Sequence, residues 1–233
     1  MGWTYATMIS AMSPLSSTLQ AVCFDLDGLL VDTEELYYES LRSVFAEYGY
    51  ALARETYARK WIIQGTHLAD ELPGFGISAD AADCAAEWKQ RHRALVEARL
   101  QLMPFARETL ERAAARFRTA LVTNTPGEEV DLILDRLGIR PHLHHLVCRE
   151  RYVNAKPAAD GYLAAAQAVG VPPGACLALE DSPRGVRAAV AAGMPCVAVV
   201  NAMTRFEPPV GARLVLNSLA ELDLDVLAAA WGS

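Results

Sequence analysis

The chain has 233 residues, a hydrophobic fraction of 52% and a formal net charge of −7 at pH 7. This length fits one domain with a large insertion or two small domains, and the hydrophobic fraction is sufficient for a packed core. The negative charge disfavours nucleic acid and anionic membranes as partners, so local cations would have to hold an anionic substrate. No stretch approaches the run of about 18 apolar residues that a membrane span requires.

The cysteines are widely spaced and form no CxxC pair. They are Cys23, Cys84, Cys148, Cys176 and Cys196. Their odd number and large spacings predict reduced, mostly buried thiols in a cytoplasmic protein. Residues 1–18 lack the basic start of a signal peptide, and we expect them to form a flexible extension; translation could also begin at Met8 or Met12. We expect a monomer.

Short apolar runs alternate with helical patterns along most of the chain, as they do in βα units. The predicted strands are residues 21–24, 119–123, 145–148, 176–180, 196–200 and 213–216. The helices predicted between them are residues 105–116, 127–137, 158–169 and 183–192, and a last helix follows a capping box of Ser218 and Glu221. This order predicts an α/β fold with a doubly wound, Rossmann-like parallel sheet.

One long region interrupts this alternation, because residues 33–103 contain no convincing strand. Helical patterns occur at residues 34–48, 54–64 and 67–72, followed by a loop at Pro73 and Gly74. A long helix then follows, for which Ser78 is the predicted cap. We therefore expect residues 33–103 to form a helical cap domain, inserted into an α/β core of residues 19–32 and 104–233.

The first strand ends in two aspartates, Asp25 and Asp27, which are followed by Gly28. Alternate residues of an extended chain point to the same side, so both carboxylates can face one point beyond the strand. Open α/β sheets bind ligands at that end. Two converging carboxylates repel each other unless a cation or a proton lies between them. The stretch therefore predicts a metal site, and Gly28 allows the backbone to turn away sharply.

Polar residues also occur at or beside other strand ends, as Thr123-Asn124, Lys156 and Glu180-Asp181. Each signal is weak alone, because a threonine there is usually a turn former and a lysine before proline is usually solvated. A Glu-Asp pair before Ser-Pro is equally typical of a helix start. Brought together at one edge of the sheet, however, these residues supply a hydroxyl, an ammonium group and further carboxylates.

The ordered set resembles the motifs of the haloacid dehalogenase superfamily. The matching stretches are DxDG at residues 25–28, TN at 123–124, KP at 156–157 and EDSxxG at 180–185. The helical insertion resembles the small α-helical cap of the subgroup that holds β-phosphoglucomutase, phosphoglycolate phosphatase and sugar-phosphate phosphatases. The resemblance implies a Mg²⁺-dependent phosphatase that acts on a small phosphorylated metabolite, such as a sugar phosphate or phosphoglycolate.

The resemblance also implies a role for each catalytic residue. Asp25 would be the nucleophile that becomes an aspartyl-phosphate, and Asp27 would be the general acid and base. Thr123 and Asn124 would hold the phosphoryl oxygens. Lys156 would offset the charge of Asp25 and bind the phosphate with them. The second aspartate also favours phosphate esters, since the carbon–halogen and carbon–phosphorus cleaving members lack it.

The metal ligands implied by the resemblance are Asp25, Asp181 and the backbone carbonyl of Asp27, with Glu180 nearby or acting through water. The charges support this set. The carboxylates of Asp25, Asp27, Glu180 and Asp181 carry a total charge of −4, whereas Mg²⁺ and Lys156 contribute +3. A site this negative favours a proton on one carboxylate, and Asp27 would use that proton as a general acid. Mg²⁺ suits a site made entirely of oxygen ligands.

Three other functions are compatible with parts of the pattern. A phosphomutase of the β-phosphoglucomutase type is the first, but that enzyme has a histidine ten residues after its second aspartate, where this chain has Tyr37. Residues 61–68 also lack the arginine of the mutase cap. The second is a phospho-accepting receiver module, which is much shorter and has no helical insertion. The third, an inactive binding module, would not need the complete set of motif residues.

Substrate preference would come mainly from the insertion, where the polar candidates are Glu34, Lys60, Gln64, His67 and Arg91. A solvated helix face explains each of them equally simply, and we favour that interpretation. His142, His144 and His145 resemble a metal cluster, but they have no carboxylate or cysteine partner at ligand spacing. We expect them to lie on the surface.

Overall fold

The computed structural model describes residues 18–207 and 209–231. The predicted N-terminal extension, apart from Thr18, lies outside the described residues. No helix in the part of the chain that the structure describes is long and apolar enough to cross a membrane.

Six strands form a single parallel sheet, in the order β3-β2-β1-β4-β5-β6. They are β1 (Ala21–Phe24), β2 (Arg118–Val122), β3 (His145–Val147), β4 (Cys176–Glu180), β5 (Cys196–Val199) and β6 (Leu214–Leu216). Strand β1 pairs with β2 on one side and β4 on the other, so the strand order reverses there. Ligands of open α/β sheets bind at such a reversal. The structure confirms the predicted doubly wound α/β fold.

The described residues include nine α-helices. They are α1 (Thr33–Glu47), α2 (Arg54–Tyr57), α3 (Leu68–Glu71), α4 (Ala81–Arg99), α5 (Ala106–Ala114), α6 (Gly127–Leu137), α7 (Asp160–Val169), α8 (Pro183–Ala191) and α9 (Leu224–Ala230). A π-helix, Ala58–Gln64, continues α2. Short 3₁₀ helices occur at Leu72–Phe75, Arg140–His142, Arg149–Arg151, Pro173–Ala175 and Leu219–Glu221.

The two faces of the sheet carry side chains of different size. Phe24, Leu121 and Leu179 point to the face that α5, α6 and α9 cover. Cys23 and Ala178 point to the opposite face, which α7 and α8 cover. Small side chains allow the helices on that face to lie close to the strands. All five cysteines are buried and unpaired, as predicted, and those of β1, β4 and β5 pack on the small-residue face.

The region between β1 and β2 is helical, and no strand occurs in its described residues. Helix α1 packs along α4, and their apolar residues form a cluster separate from those of the sheet. Aromatic rings dominate this cluster; Tyr57 stacks on Trp61 of the π-helix, with ring centroids 5.6 Å apart. The insertion therefore has its own hydrophobic cluster, which Met203 from the loop after β5 joins.

The residues that cap the helices were predicted less well than the helices themselves. Helix α4 is capped by Asp80, not by Ser78 as predicted, and the Asp80 carboxylate accepts a hydrogen bond of 2.8 Å from the N–H of Ala82. Both are good capping residues, but Asp80 is the one adjacent to the first free N–H groups. The predicted loop at Pro73 and Gly74 is part of a 3₁₀ helix.

The predicted capping box was placed on the wrong helix. The Ser218 hydroxyl caps only the 3₁₀ helix Leu219–Glu221. Leu222 is extended and interrupts the helical path. Helix α9 begins after Asp223, whose carboxylate accepts hydrogen bonds of 3.0 Å from the next free N–H groups.

Candidate active site

Asp25 follows β1 directly and lies against the ammonium group of Lys156. The Lys156 Nζ donates to Asp25 Oδ1 at 2.5 Å, to Glu180 Oε1 at 2.6 Å and to the Val122 carbonyl at 2.8 Å. Both Asp25 and Lys156 are buried. Since an ammonium group has three protons, these three acceptors use all of its donors. Lys156 therefore holds two carboxylates in place and offsets their charge.

Three buried carboxylates converge beside this ammonium group. Asp25, Glu180 and Asp181 each offer one oxygen, and these oxygens lie within 4.8 Å of one another. Burial raises the pKa of the Asp25 carboxyl, with Glu180 and Asp27 adding to the effect and Lys156 opposing it. Burial also raises the pKa of Asp181, which the charge of Asp25 reinforces. A cation would relieve this repulsion, and the all-oxygen donor set fits Mg²⁺.

The Asp181 carboxylate is oriented by Asn201, a residue that was not predicted from the sequence. The Asn201 Nδ2 donates to Asp181 Oδ2 at 2.8 Å and to the Gly28 carbonyl at 2.9 Å. Gly28 has a φ of +82°, and a Cβ there would lie 2.3 Å from Asp181 Oδ2. Glycine is therefore needed at this position both for the turn and for the approach of Asp181.

Glu180 has less freedom to bind a metal directly. Its Oε1 accepts from Lys156 and from the Tyr162 hydroxyl at 2.6 Å, and its Oε2 accepts from the N–H of Asp181 at 3.3 Å. A Cβ at Gly185 would lie 2.0 Å from the Glu180 carboxyl group, so the glycine provides the space for that group. With both its oxygens bound by protein donors, Glu180 is better placed to act through water than Asp25 or Asp181.

The Asp27 carboxylate is surrounded by threonine hydroxyls. Thr33 donates to Oδ1 at 2.5 Å, whereas Thr125 and Thr123 donate to Oδ2 at 2.6 Å and 3.3 Å. Thr33 is the first residue of α1, so both the sheet edge and the insertion hold Asp27. The sequence analysis identified Thr123 but neither Thr33 nor Thr125, because isolated threonines carry no distinctive signal.

The Asn124 side chain has a defined orientation. Its Oδ1 accepts from the Tyr152 hydroxyl at 2.9 Å and from the N–H of Lys156 at 3.2 Å. The amide oxygen is therefore occupied, and the NH₂ group remains available to donate to a ligand. The Thr123 hydroxyl accepts from the N–H of Thr125 at 3.0 Å. Asn124 thus presents polar hydrogens to the cavity, whereas the hydroxyl hydrogen of Thr123 is directed at Asp27.

A cavity of about 120 Å³ unites these groups. It is lined by Asp25, Asp27, Glu34, Trp61, Ile62, Thr123, Asn124, Lys156, Asp181, Ser182 and Arg184. The structure therefore brings the predicted strand-end residues together at one site, with Glu180 directly behind the lining. The cavity is smaller than typical ligand pockets and suits a phosphoryl group with a small organic part.

Among the polar candidates of the insertion, Glu34 lines the cavity, and Tyr57 donates to its carboxylate at 3.1 Å. Burial, together with the nearby charge of Asp27, raises the pKa of Glu34 to about 7. The remaining candidates do not line it: Lys60 pairs with Glu71 at 3.0 Å, Arg91 donates to Ser43 at 3.0 Å, and Gln64 and His67 are exposed. The apolar wall instead comes from Trp61 and Ile62.

Arg184 lines the cavity but was missed in the sequence. It belongs to the first turn of α8, where the helix dipole favours acidic rather than basic residues. This unfavourable placement was the signal that could have identified it. Its Nη2 donates to the carbonyl of Lys156 at 2.5 Å.

The three histidines near β3 do not form a metal site, and a fourth histidine is buried in the insertion. His142 and His144 make local contacts at the β3 side of the sheet, where the His144 Nδ1 lies 2.7 Å from the Thr119 hydroxyl. The one metal-binding cluster found among the described residues is the carboxylate group, so the three neighbouring histidines do not form a second. His92, which the sequence analysis did not identify, is buried and stacks on Tyr37 with ring centroids 3.6 Å apart.

Comparison with known proteins agrees with this geometry. Residues 19–193 match the haloacid dehalogenase-like hydrolase family. The chain belongs to this family. The phosphorylated carbohydrates phosphatase of Thermotoga maritima is 32% identical over 181 residues, which cover 76% of this chain and 82% of that protein. CbbY of Rhodobacter capsulatus is 31% identical over 199 residues, covering 80% of this chain and 88% of the relative.

Solved structures show the same similarity. A CbbY variant from Rhodobacter sphaeroides in complex with xylulose-(1,5)bisphosphate superposes with a TM-score of 0.72 at 28% identity. The match covers 88% of this chain and 100% of the other. Family and relatives together identify this hydrolase as a phosphoric monoester hydrolase. They do not support the receiver module or the inactive binding module.

Proposed function

We propose that this hydrolase is a Mg²⁺-dependent phosphatase of a small phosphorylated sugar and works through an aspartyl-phosphate on Asp25. The observation that carries the proposal is the position of Asp25, which lies between Lys156 and the Asp181 carboxylate. Two relatives support this substrate class, namely a phosphorylated carbohydrates phosphatase and a CbbY variant in complex with a sugar bisphosphate.

Asp25 would attack phosphorus with the carboxylate oxygen that is not bound to Lys156. Thr123 and the free NH₂ of Asn124 would hold the phosphoryl oxygens during this attack. Asp27, oriented by its threonine hydroxyls, would give a proton to the leaving sugar oxygen. It would then take a proton from the water that hydrolyses the aspartyl-phosphate and releases inorganic phosphate.

Asp25, Asp181 and the backbone carbonyl of Asp27 would hold Mg²⁺, with Glu180 acting through water. When bound, Mg²⁺ neutralises the charge on the carboxylates and on the phosphoryl group. Asn201 would keep Asp181 directed at the ion. Lys156 has no donor left for the phosphate in this arrangement, so its contact with substrate would require sharing a proton now used by Asp25 or Glu180.

A hydrolysis screen tests the proposal. The purified chain would be incubated with sugar phosphates, phosphoglycolate and nucleotides in the presence of Mg²⁺, and the release of inorganic phosphate measured. We expect turnover of at least one sugar phosphate, and the acyl-phosphate should be trapped on Asp25 by hydroxylamine. Absence of phosphate release from every compound would contradict the proposed function.

A further inference from the structure

Arg184 supplies the cavity with donors that the protein does not use. Its Nη2 is bound to the Lys156 carbonyl, whereas its buried Nε has no hydrogen-bond partner among the residues that the structure describes. A guanidinium group has five N–H donors in a planar fork. The Nε is closed off from solvent, but Nη1 forms no hydrogen bond with the described residues and the side chain lines the cavity. This end of the fork can therefore donate to an acceptor that enters the cavity from outside the protein.

The other cation of the cavity wall cannot serve this acceptor. Lys156 uses its three protons for Asp25, Glu180 and the Val122 carbonyl. Among the described residues that line the cavity, Arg184 is therefore the cation with donors to spare. Its charge is not required by the carboxylate cluster, which Lys156 already contacts.

Arg184 lies where the insertion forms the wall. A Cβ on Gly65, at the end of the π-helix, would lie 2.4 Å from the Arg184 Cζ, so the guanidinium rests on the backbone of the insertion. Trp61 and Ile62 belong to the same π-helix and line the same cavity. These residues share the cavity with Asp25, so a leaving group attached to a phosphoryl group at Asp25 would lie within their reach.

Glu34 shares this side of the cavity with Arg184, but its carboxylate accepts a hydrogen bond from Tyr57 rather than from Arg184. Burial lowers the pKa of Arg184, with Arg187 adding to the effect and Glu34 opposing it, although a guanidinium stays charged in proteins. A partly buried cation without a hydrogen-bonded acid favours an anionic ligand.

We propose that Arg184 binds an anionic substituent on the leaving group, so that the enzyme selects phosphate esters carrying a second phosphate or a carboxylate. A guanidinium fork matches both anions because each presents two oxygens in one plane. The inference rests on the proposed phosphatase function and adds the chemical class of the leaving group. Arg184 would be a specificity-determining residue on the core rather than on the insertion.

Matched pairs of substrates test this assignment. Ribulose 1,5-bisphosphate and ribulose 5-phosphate differ by a second phosphate, whereas 3-phosphoglycerate and glycerol 3-phosphate differ by a carboxylate. The ratio of kcat/KM within each pair would be measured for wild type, Arg184→Gln and Arg184→Lys. Arg187→Gln is the control, because Arg187 is exposed one turn further along α8. The pair with the larger ratio identifies which anion is bound.

We expect wild type to prefer the anionic member of one pair by about tenfold or more, as for a charged hydrogen bond. Arg184→Gln should remove that preference, Arg184→Lys should keep part of it, and Arg187→Gln should keep all of it. Equal losses for both members of a pair would show that Arg184 only supports the Lys156 loop. That result, or a wild type without preference, would overturn the inference and leave the phosphatase function intact.

Binding measurements separate the two proposals. Asp25→Asn cannot form the aspartyl-phosphate, so calorimetry on this background compares affinities for the same pairs without turnover. Tighter binding of the anionic member, lost in Asp25→Asn/Arg184→Gln, would support the inference even if hydrolysis were absent. Equal affinities in both proteins would overturn it.

Discussion

The hydroxyl of Thr33 donates a hydrogen bond of 2.5 Å to Oδ1 of Asp27. Asp27 follows the first strand of the sheet, whereas Thr33 begins the first helix of the insertion. The proposed acid-base residue is therefore held from both sides of the crossing between these two parts of the chain. The orientation of the Asp27 carboxylate therefore depends on the position of the insertion.

Replacement of Thr33 by valine should lower kcat about tenfold to a hundredfold, with a smaller change in KM. Valine keeps the shape of threonine but removes one hydrogen bond to a charged group, and such bonds stabilise by about 1.5–3 kcal/mol. Thr33→Ser keeps the hydroxyl and is the matched control, with kcat expected within threefold of wild type. Equal kcat values for the valine variant and wild type would show that Thr125 and Thr123 are sufficient to orient Asp27.

Replacement of Asp25 by asparagine should abolish turnover, because an amide keeps the shape of the side chain but cannot attack phosphorus. Steady-state phosphate release and circular dichroism would be measured together, so that loss of activity is separated from loss of fold. Hydrolysis within tenfold of wild type would show that Asp25 is not the nucleophile.

Mg²⁺ should stabilise the folded chain as well as activate it. The converging carboxylates of Asp25 and Asp181 repel each other without a cation, so added Mg²⁺ should raise the thermal midpoint of unfolding. Asp181→Asn should lose most of this increase, whereas Glu97→Gln, an exposed change of equal charge on α4, should keep it.

Chelation should abolish hydrolysis and Ca²⁺ should inhibit it, because Ca²⁺ accepts looser coordination. Activity that survives chelation would contradict the metal site.

Acid should destabilise the chain through His92. Burial lowers the pKa of His92 to about 4 from its ordinary value of 6.5, so the unfolded chain takes up a proton that the folded chain does not. This contribution is fully present above pH 6.5 and is lost as the pH falls towards 4. His92→Phe keeps a ring beside Tyr37 and should gain about 2 kcal/mol relative to wild type between pH 7 and pH 5.

Denaturant unfolding of both proteins at the two pH values measures this difference, and other titrating groups cancel in the comparison. If the free energies of unfolding of wild type and His92→Phe change in parallel with pH, His92 is protonated in the folded chain.

The chain should release inorganic phosphate from β-glucose 1-phosphate, or leave it unchanged, rather than convert it to glucose 6-phosphate. Tyr37 stands ten residues after Asp27, where the resemblance places the mutase histidine. A tyrosine hydroxyl cannot become a cation, and burial raises its pKa, so Tyr37 stays neutral at pH 7. The reaction would be run with a trace of the bisphosphate and followed with glucose-6-phosphate dehydrogenase. Isomerisation much faster than phosphate release would establish a mutase.

The sequence was sufficient to predict the six strands along the chain and the polar residues at their ends. Apolar runs identify buried parallel strands, and the topology of such a sheet directs Asp25, Thr123 and Glu180 to one edge. The helical content of the region between β1 and β2 was also predicted, from its lack of strand patterns.

Contacts between distant segments could not be predicted in this way. Asn201 reaches Asp181, and Arg184 reaches Gly65, only because the folded chain places a loop after β5 and a π-helix beside the strand ends. The prediction of the capping residue was wrong for a different reason. Ser78 and Asp80 have similar capping propensities, and the choice between them depends on packing.

The alanine and cysteine side chains beneath α7 and α8 have a mechanical consequence. With so little side-chain depth between helix and strand, α8 cannot shift without opening a void or forcing atoms together. Ser182 and Arg184, which α8 and its cap carry, therefore belong to a fixed wall of the active site. The insertion has its own hydrophobic cluster and contacts the core through the π-helix and α8. We therefore expect any enlargement of the small cavity that admits a substrate to come from the insertion rather than from α8.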